Sequence, residues 1–231
     1  MTSCHANDVG GAEGIEAVDE GDADLDFGGL AVGVSCRDAL AEGFEAAHLR
    51  LDPASDVVSG PALPERLAGV VIRGDTTANL RDFSATFLTG IARIEGGAGD
   101  DTLIGSTGRD VLSGGAGRDV MTGGLGADTF VFASASDSVK ATPDLITDFV
   151  SGVDHVDLSL IDANTLLTGD QAFAFISSAL FSHTAGELRL AGGGVGFAQL
   201  VGDVNGDGQA DFMLKFDLST GQMSVVTDFI L

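Results

Sequence analysis

A nine-residue period runs through Gly96–Phe132 and limits the fold more than any other feature of the chain. Divided into nines, the stretch is GGAGDDTLI, GSTGRDVLS, GGAGRDVMT and GGLGADTFV. The repeats match the pattern G-G-x-G-x-D-x-U-x, where U is a large apolar residue, except that Ser106 replaces one glycine. Such a period indicates an architecture in which each repeat is one structural unit that packs on its neighbours.

The period predicts a parallel β-roll. Six residues of each repeat form a turn, for which glycine supplies the backbone angles, and three form a short strand whose middle residue points inward. Two repeats complete one turn of the coil, so alternate repeats stack on each other. The inward positions are Leu103, Leu112, Met121 and Phe130.

Stacking of alternate repeats brings the aspartates at position six together in pairs. Asp101 then lies near Asp119, and Asp110 lies near Asp128. Two adjacent carboxylates repel each other unless a cation lies between them. Carboxylate oxygens combined with turn carbonyls favour a hard ion such as Ca²⁺. The repeats therefore predict several bound calcium ions.

Other interpretations of the glycine-rich stretch fit it less well. A flexible linker needs no apolar residue at a fixed phase, and collagen needs glycine at every third position. A phosphate-binding loop needs a Gly-Lys-Ser or Gly-Lys-Thr segment that the stretch lacks, and its aspartates repel phosphate.

A second candidate calcium loop is DVNGDGQAD, at Asp203–Asp211. Its oxygen ligands are Asp203, Asn205, Asp207 and Asp211, and Gly208 allows the sharp turn. An EF-hand needs an acidic residue at the twelfth place, where Leu214 stands, and the flanking segments read as strands. The alternative is a turn between two strands that holds no ion.

Four further carboxylates flank the roll and are additional candidate ligands at its end. A solvated turn is the alternative for each of them. They are Asp137, in a degenerate fifth repeat, and Asp148, Asp154 and Asp157.

From about Val70 to Leu231 the chain resembles the repeats-in-toxin (RTX) proteins, and more narrowly the C-terminal domain of serralysin-type secreted metalloproteases. The resemblance rests on the repeats and on GGLGADTFVF, DLITDFVSGVDHVDLSLIDAN, GDQAFAFI, GELRL, GDVNGDGQADF and DFIL. It implies a roll that binds calcium through the position-six aspartates and turn carbonyls, and a domain that folds outside the cell. It also implies a signal for type I secretion through an ABC transporter.

The sequence ends in an acidic residue followed by apolar residues, Asp228–Leu231. The resemblance implies that the transporter reads this tail. Burial as a final strand is the other interpretation. The two are compatible, because the tail can be exposed before folding and packed afterwards.

We divide the chain into an N-terminal acidic segment (1–65) of unknown role, the roll (66–132) and a β-rich C-terminal cap carrying the secretion signal (133–231). The N-terminal segment reads as irregular, with a short helix over Asp38–Leu51 that Asp38 caps. Cys4 and Cys36 either pair or remain free thiols. The predicted class is all-β.

The charge and the start of the chain limit its location and partners. A net charge of −24 disfavours nucleic acid and acidic membrane surfaces and favours cations. The sequence begins without the basic and apolar regions of a signal peptide, and no apolar run is long enough for a membrane span. The resemblance implies an extracellular protein, which then has to be exported by a route that needs no signal peptide, and we expect it to be a monomer.

The sequence contains no recognisable catalytic motif. The zinc-protease pattern H-E-x-x-H is absent, since the histidines are the isolated His5, His48, His155 and His183. No G-x-S-x-G nucleophile motif is present. We therefore predict that the chain is not a peptidase. The alternatives are an enzyme or toxin encoded before Val70, a surface or adhesion protein with the roll as spacer, and the tail of a protease that lost its catalytic domain.

Overall fold

A computed structural model describes residues 17–19, 23–27, 47–51, 56–57, 70–85, 88, 91–194, 196–218 and 226–231. Both cysteines and residues 38–46 of the predicted helix lie outside these residues. The described residues form strands, turns and one 3-10 turn at Val226–Asp228, with no helix long and apolar enough to cross a membrane. The predicted all-β class is confirmed.

The strands form two sheets of nine strands each. The first sheet consists, in spatial order, of β1 (Ala17–Asp19), β2 (Ala23–Phe27), β3 (Ala47–Leu51), β5 (Val70–Arg73), β7 (Ile91–Ala98), β9 (Val111–Ala116), β11 (Thr129–Val131), β13 (His155–Asp157) and β18 (Phe229–Ile230). The second consists of β14 (Ala174–Phe175), β15 (Glu187–Gly194), β16 (Phe197–Asp203), β17 (Phe212–Asp217), β12 (Asp144–Ile146), β10 (Val120–Thr122), β8 (Thr102–Ile104), β6 (Leu80–Asp82) and β4 (Asp56–Val57).

The four repeats stack as predicted, with alternate repeats in the same sheet. Strands β8 and β10 are parallel, with Leu103 opposite Met121. Strands β9 and β11 are also parallel, with Leu112 opposite Phe130. The chain therefore alternates between the sheets and makes one coil for every two repeats, which confirms the parallel β-roll.

Position eight of every repeat faces the core. Leu103, Leu112, Met121 and Phe130 are completely buried. The core continues beyond the repeats, because the ring of Phe149 lies 6.3 Å from that of Phe130 and other aromatic side chains follow it. Burial of large apolar side chains along the axis stabilises the coil.

The C-terminal region extends both sheets past the last repeat. Strands β15, β16 and β17 form an antiparallel meander, and β17 then pairs in parallel with β12. Strand β18 pairs in parallel with β13, so the last residues continue the first sheet.

The helix predicted over Asp38–Leu51 is wrong for its last five residues. Ala47–Leu51 form β3, which pairs in parallel with β2 on one side and β5 on the other. Pairing with two neighbouring strands outweighs the weak local helix preference of these residues. In addition, β1–β4 show that parts of the N-terminal segment belong to the two sheets.

Candidate calcium-binding site

The position-six side chains of stacked turns form two hydrogen-bonded columns. In the first ladder (Asn79, Asp101, Asp119 and Asp144), Oδ1 of each aspartate accepts the backbone N–H of the residue one coil earlier. The N···O distances are 2.7 Å from Asn79 to Asp101, 2.8 Å from Asp101 to Asp119 and 2.8 Å from Asp119 to Asp144. The predicted proximity of Asp101 and Asp119 is therefore observed.

The second ladder (Asp110, Asp128 and Asp154) lies along the other sheet and has the same geometry. The N–H of Asp110 donates to Oδ1 of Asp128 at 2.9 Å, and the N–H of Asp128 donates to Oδ1 of Asp154 at 3.0 Å. Asp154, one of the candidates flanking the roll, therefore continues the column begun by the repeats.

Four ladder carboxylates have one oxygen without a hydrogen-bond partner. These atoms are Oδ2 of Asp101, Asp119, Asp128 and Asp144, and each residue is at most 1% exposed. A buried anionic oxygen without a donor is costly, because it loses its hydration and gains nothing in return. A bound cation removes that cost.

Three of the unpartnered oxygens, those of Asp101, Asp119 and Asp128, lie beside the first glycine of their turns. A Cβ placed on Gly96 overlaps both Oδ2 of Asp101 and the carbonyl oxygen of Gly114. A Cβ placed on Gly114 likewise overlaps Oδ2 of Asp119, and a Cβ placed on Gly123 overlaps Oδ2 of Asp128. Only glycine leaves this space free, and the oxygens that line it are those a hard cation prefers.

Within the described ranges, no three or more His, Cys, Asp or Glu side chains gather closely enough to hold a metal ion. An ion at these turns would take a carboxylate oxygen from a ladder and other ligands from backbone carbonyls such as that of Gly114. Calcium accepts such ligand sets, because it binds six to eight oxygens in flexible geometry. The residues present thus fit calcium.

Burial sets the electrostatics of the ladders. It raises the pKa of Asp101 and Asp119 to about 6, that of Asp128 to about 7 and that of Asp144 to about 8. The N–H that each Oδ1 accepts lowers the pKa, and neighbouring carboxylates raise it. Without a cation, the charged form of these groups is therefore disfavoured inside the folded roll.

Sequence reasoning missed two ladder members, Asn79 and Asp144. Asp144 lies 25 residues after Asp119, so it falls outside the period of nine, and Asn79 precedes the first full repeat. The signal that identifies Asp144 is local: an aspartate followed two places later by a buried apolar residue, Ile146, as in every repeat.

Three of the flanking candidates lie outside the ladders. Asp137 accepts two backbone N–H groups of its own turn. Asp148 accepts the N–H groups of Gly123 and Gly124, both at 2.8 Å. Asp157 accepts an N–H and a hydroxyl from the residue two places on. Each of these carboxylates therefore has hydrogen-bond donors, which lie nearby in the chain for Asp137 and Asp157 and in the fourth repeat for Asp148.

The second candidate loop connects β16 to β17, so strands flank it as predicted. Both carboxylate oxygens of the buried Asp203 accept backbone N–H groups, from Gly206 at 2.7 Å and Gly208 at 2.8 Å. Asn205 donates to Asp211 at 2.9 Å. Donors within the loop therefore occupy these oxygens, and the ligand set of Asp203, Asn205, Asp207 and Asp211 stays a prediction.

Comparison with known proteins places this geometry in a family. Residues 84–231, well over half of the chain, match the family described as peptidase M10 serralysin C terminal. The chain belongs to the serralysin C-terminal family. The family match covers the four repeats and the strands that follow them, but not residues 1–83.

Individual relatives agree with the family. Metalloprotease AprA of Pseudomonas entomophila (strain L48) is 39% identical over 104 residues, which are 45% of this chain and 20% of that protein. Serralysin A of Dickeya chrysanthemi is 36% identical over 104 residues, with the same coverage. The chain spans about a fifth of the length of these curated relatives.

Among solved structures, the chain is similar to the AlgE6R2 subunit of the Azotobacter vinelandii mannuronan C5-epimerase. The sequence identity is 27%, the TM-score is 0.46, and the match covers 69% of this chain and 91% of that one.

In this member of the serralysin C-terminal family, the last residues pack as a strand. Asp228 is fully buried, and its carboxylate accepts the hydroxyl of Ser151 at 2.6 Å and the N–H of Gly152 at 2.9 Å. The ring of Phe229 lies 5.3 Å from that of Phe175. The interpretation as a final strand fits, and the export signal stays a prediction.

Proposed function

We propose that this chain is a secreted calcium-binding module of the RTX type, whose folding is driven by extracellular calcium. The observation that carries the proposal is the set of four buried carboxylate oxygens without a donor, on Asp101, Asp119, Asp128 and Asp144. The family supports the proposal at a coarser level, because the match covers the C-terminal part of serralysin-type proteases. We propose no catalytic activity for the chain.

Each group has a distinct role in the proposed site. Oδ1 of the four aspartates with an unpartnered oxygen holds the preceding coil by accepting its N–H group, and Oδ2 of the same residues offers a ligand to the ion. The glycines leave room for the ion and expose their carbonyl oxygens. The ion supplies the positive charge that the buried carboxylates require.

Calcium binding then becomes folding free energy. The unfolded chain does not hold the aspartates and carbonyls together, so calcium stabilises the folded form by mass action. Extracellular calcium modules have dissociation constants of about 10⁻⁴ to 10⁻³ M. At ten times such a constant, one site contributes about 1.4 kcal/mol, and several coupled sites produce a sharp transition.

A calcium titration of the full chain tests this proposal. We expect little β-structure in chelator at neutral pH and a cooperative gain of β-structure at millimolar calcium, because only the ion offsets the buried charge. Far-UV circular dichroism is the suitable measurement, since the chain has no Trp and no Tyr for fluorescence. Magnesium is the control, because it demands a stricter octahedral site. Equal β-structure with chelator and with calcium contradicts the proposal.

The second part of the proposal is export through a type I (ABC) transporter that reads Asp228–Leu231 before the chain folds. Low cytosolic calcium keeps the roll unfolded and its tail accessible, and extracellular calcium then folds the roll and buries the tail. The burial of Asp228 and Phe229 supports this order of events, because a folded chain hides these side chains.

Export is tested in cells that carry a type I transporter for a serralysin-type protease. We expect the full chain in the medium and a variant without Asp228–Leu231 inside the cells. Ser151→Ala is the matched control, since it removes a hydrogen bond to Asp228 but leaves the tail sequence intact. Retention of S151A inside the cells, or release of the truncated chain into the medium, contradicts the proposal that the transporter recognises the tail.

A further inference from the structure

The six-residue turns of the roll occur in two forms, and the residue at position two distinguishes them. In the first form, which we call open, the residue at position two is a glycine with a positive φ. The φ angles are 111° at Gly97, 97° at Gly115 and 97° at Gly124. The carboxylates of these three turns, on Asp101, Asp119 and Asp128, each have an Oδ2 without a hydrogen-bond partner. The fourth such oxygen, on Asp144, lies after the repeats, in a segment with no glycine at the corresponding place.

In the closed form, position two is not glycine, and its backbone N–H donates to the side chain at position six. The N–H of Ser106 lies 2.6 Å from Oδ2 of Asp110. The same bond occurs in three turns outside the four repeats: Asp75 to Asn79 at 2.9 Å, Ala133 to Asp137 at 2.9 Å and Val150 to Asp154 at 2.8 Å. In the closed turns, the backbone N–H at position two therefore binds the position-six side chain, whereas in the open turns the corresponding oxygen remains available to an ion.

Steric and backbone effects explain why position two decides the form. A Cβ on Gly97, Gly115 or Gly124 overlaps a backbone carbonyl oxygen of the preceding coil. The positive φ of these glycines is also unfavourable for a residue with a side chain. Within the four repeats, a residue other than glycine at position two therefore excludes the open form.

The second repeat shows the consequence within an otherwise matching motif. In addition to its N–H, the hydroxyl of Ser106 donates to Oδ2 of Asp110, at 2.9 Å. That hydroxyl in turn accepts the N–H of Gly108 at 3.0 Å. Among the described residues, neither Ser106 nor Gly108 has a positive φ, unlike the corresponding glycines of the other repeats. Two donors thus saturate the oxygen that is unpartnered in the neighbouring repeats.

We infer that, within the four repeats, the residue at position two selects which turns bind calcium: the turns of Gly97, Gly115 and Gly124 bind an ion, and the turn of Ser106 does not. Asp110 then stabilises its turn through hydrogen bonds alone, although it matches the repeat pattern. This inference rests on the proposed calcium binding and specifies which turns carry it.

A matched pair of variants on the second ladder tests the inference. Calcium is the probe, and the measurement is the number of ions bound per full chain, by equilibrium dialysis. Asp110→Asn is expected to leave the number unchanged, and Asp128→Asn is expected to lower it by at least one. Both residues are buried at position six of the same ladder, so they differ mainly in the form of their turn.

Ser106→Gly gives the converse test, with Ser106→Ala as its control. S106G permits the open form and is expected to raise the number of ions by one. S106A retains the Cβ and is expected to leave the number at the wild-type value, even though the hydroxyl is lost. Loss of an ion in D110N, or an unchanged number in S106G, overturns the inference while the proposed function stands. A wild-type chain that binds no calcium overturns both.

Discussion

In chelator, acidification from about pH 8 to about pH 5 is expected to fold the roll without calcium. Burial raises the pKa of four ladder aspartates from 3.8 to between about 6 and about 8 in the folded chain. The folded state therefore binds protons that the unfolded state releases, so the free energy of unfolding falls as the pH rises through this range. This stability is fully present below about pH 4 and lost progressively towards pH 8.

The effect should be large, because one pKa unit corresponds to about 1.4 kcal/mol and four groups act in the same direction. Far-UV circular dichroism in chelator across this range measures it. With saturating calcium, the same series should remain folded at neutral pH, since the ion replaces the protons and binding releases them. An unchanged spectrum in chelator between pH 8 and pH 5 contradicts the role assigned to the buried carboxylates.

A second large effect is expected when the four charges are removed permanently. In the variant D101N/D119N/D128N/D144N, the roll should be folded in chelator at neutral pH and should no longer respond to calcium at these turns. Each amide keeps the Oδ1 that accepts the N–H of the preceding coil and lacks the charge that burial disfavours. Asn79 shows that an amide side chain occurs at a ladder position: its Oδ1 accepts the N–H of Asp75 at 2.9 Å, and its backbone N–H donates to Oδ1 of Asp101 at 2.7 Å.

Thermal unfolding in chelator measures this effect. At neutral pH the variant is expected to show a cooperative unfolding transition, which the wild-type chain in chelator lacks because it has little β-structure to lose. A control with the same change of net charge replaces four more exposed aspartates outside the ladders by Asn: Asp82, Asp100, Asp170 and Asp217. If the control variant also shows a cooperative transition in chelator, the gain in stability comes from the lower net charge rather than from the ladders.

Most of the roll was predictable because its repeats are spaced regularly along the chain. The sequence repeats every nine residues, and two repeats make one coil. Residues eighteen positions apart therefore lie next to each other in adjacent coils. The contacts of Asp101 with Asp119 and of Asp110 with Asp128 follow from that spacing alone. The burial of Leu103 and Phe130 follows from their place in the middle of each short strand.

The candidate site was predictable only in part, because the ladders include residues that the period does not reach. Asp144 enters the first ladder after an insertion that breaks the spacing, and only the pairing of β10 with β12 places it there. For Asp110, the motif predicts a ligand, but the hydrogen bonds of Ser106 give its carboxylate other partners. The strand at Ala47–Leu51 likewise depends on the neighbours it pairs with.

The sequence by itself therefore determined the coil, its apolar axis and the pairing of position-six aspartates, since these depend only on distance along the chain and on residue type. The tertiary structure decided which carboxylate oxygens have a donor and which do not. That distinction depends on backbone angles and on carbonyls of the adjacent coil: Gly115 leaves Oδ2 of Asp119 unpartnered, whereas Ser106 gives Oδ2 of Asp110 two hydrogen bonds.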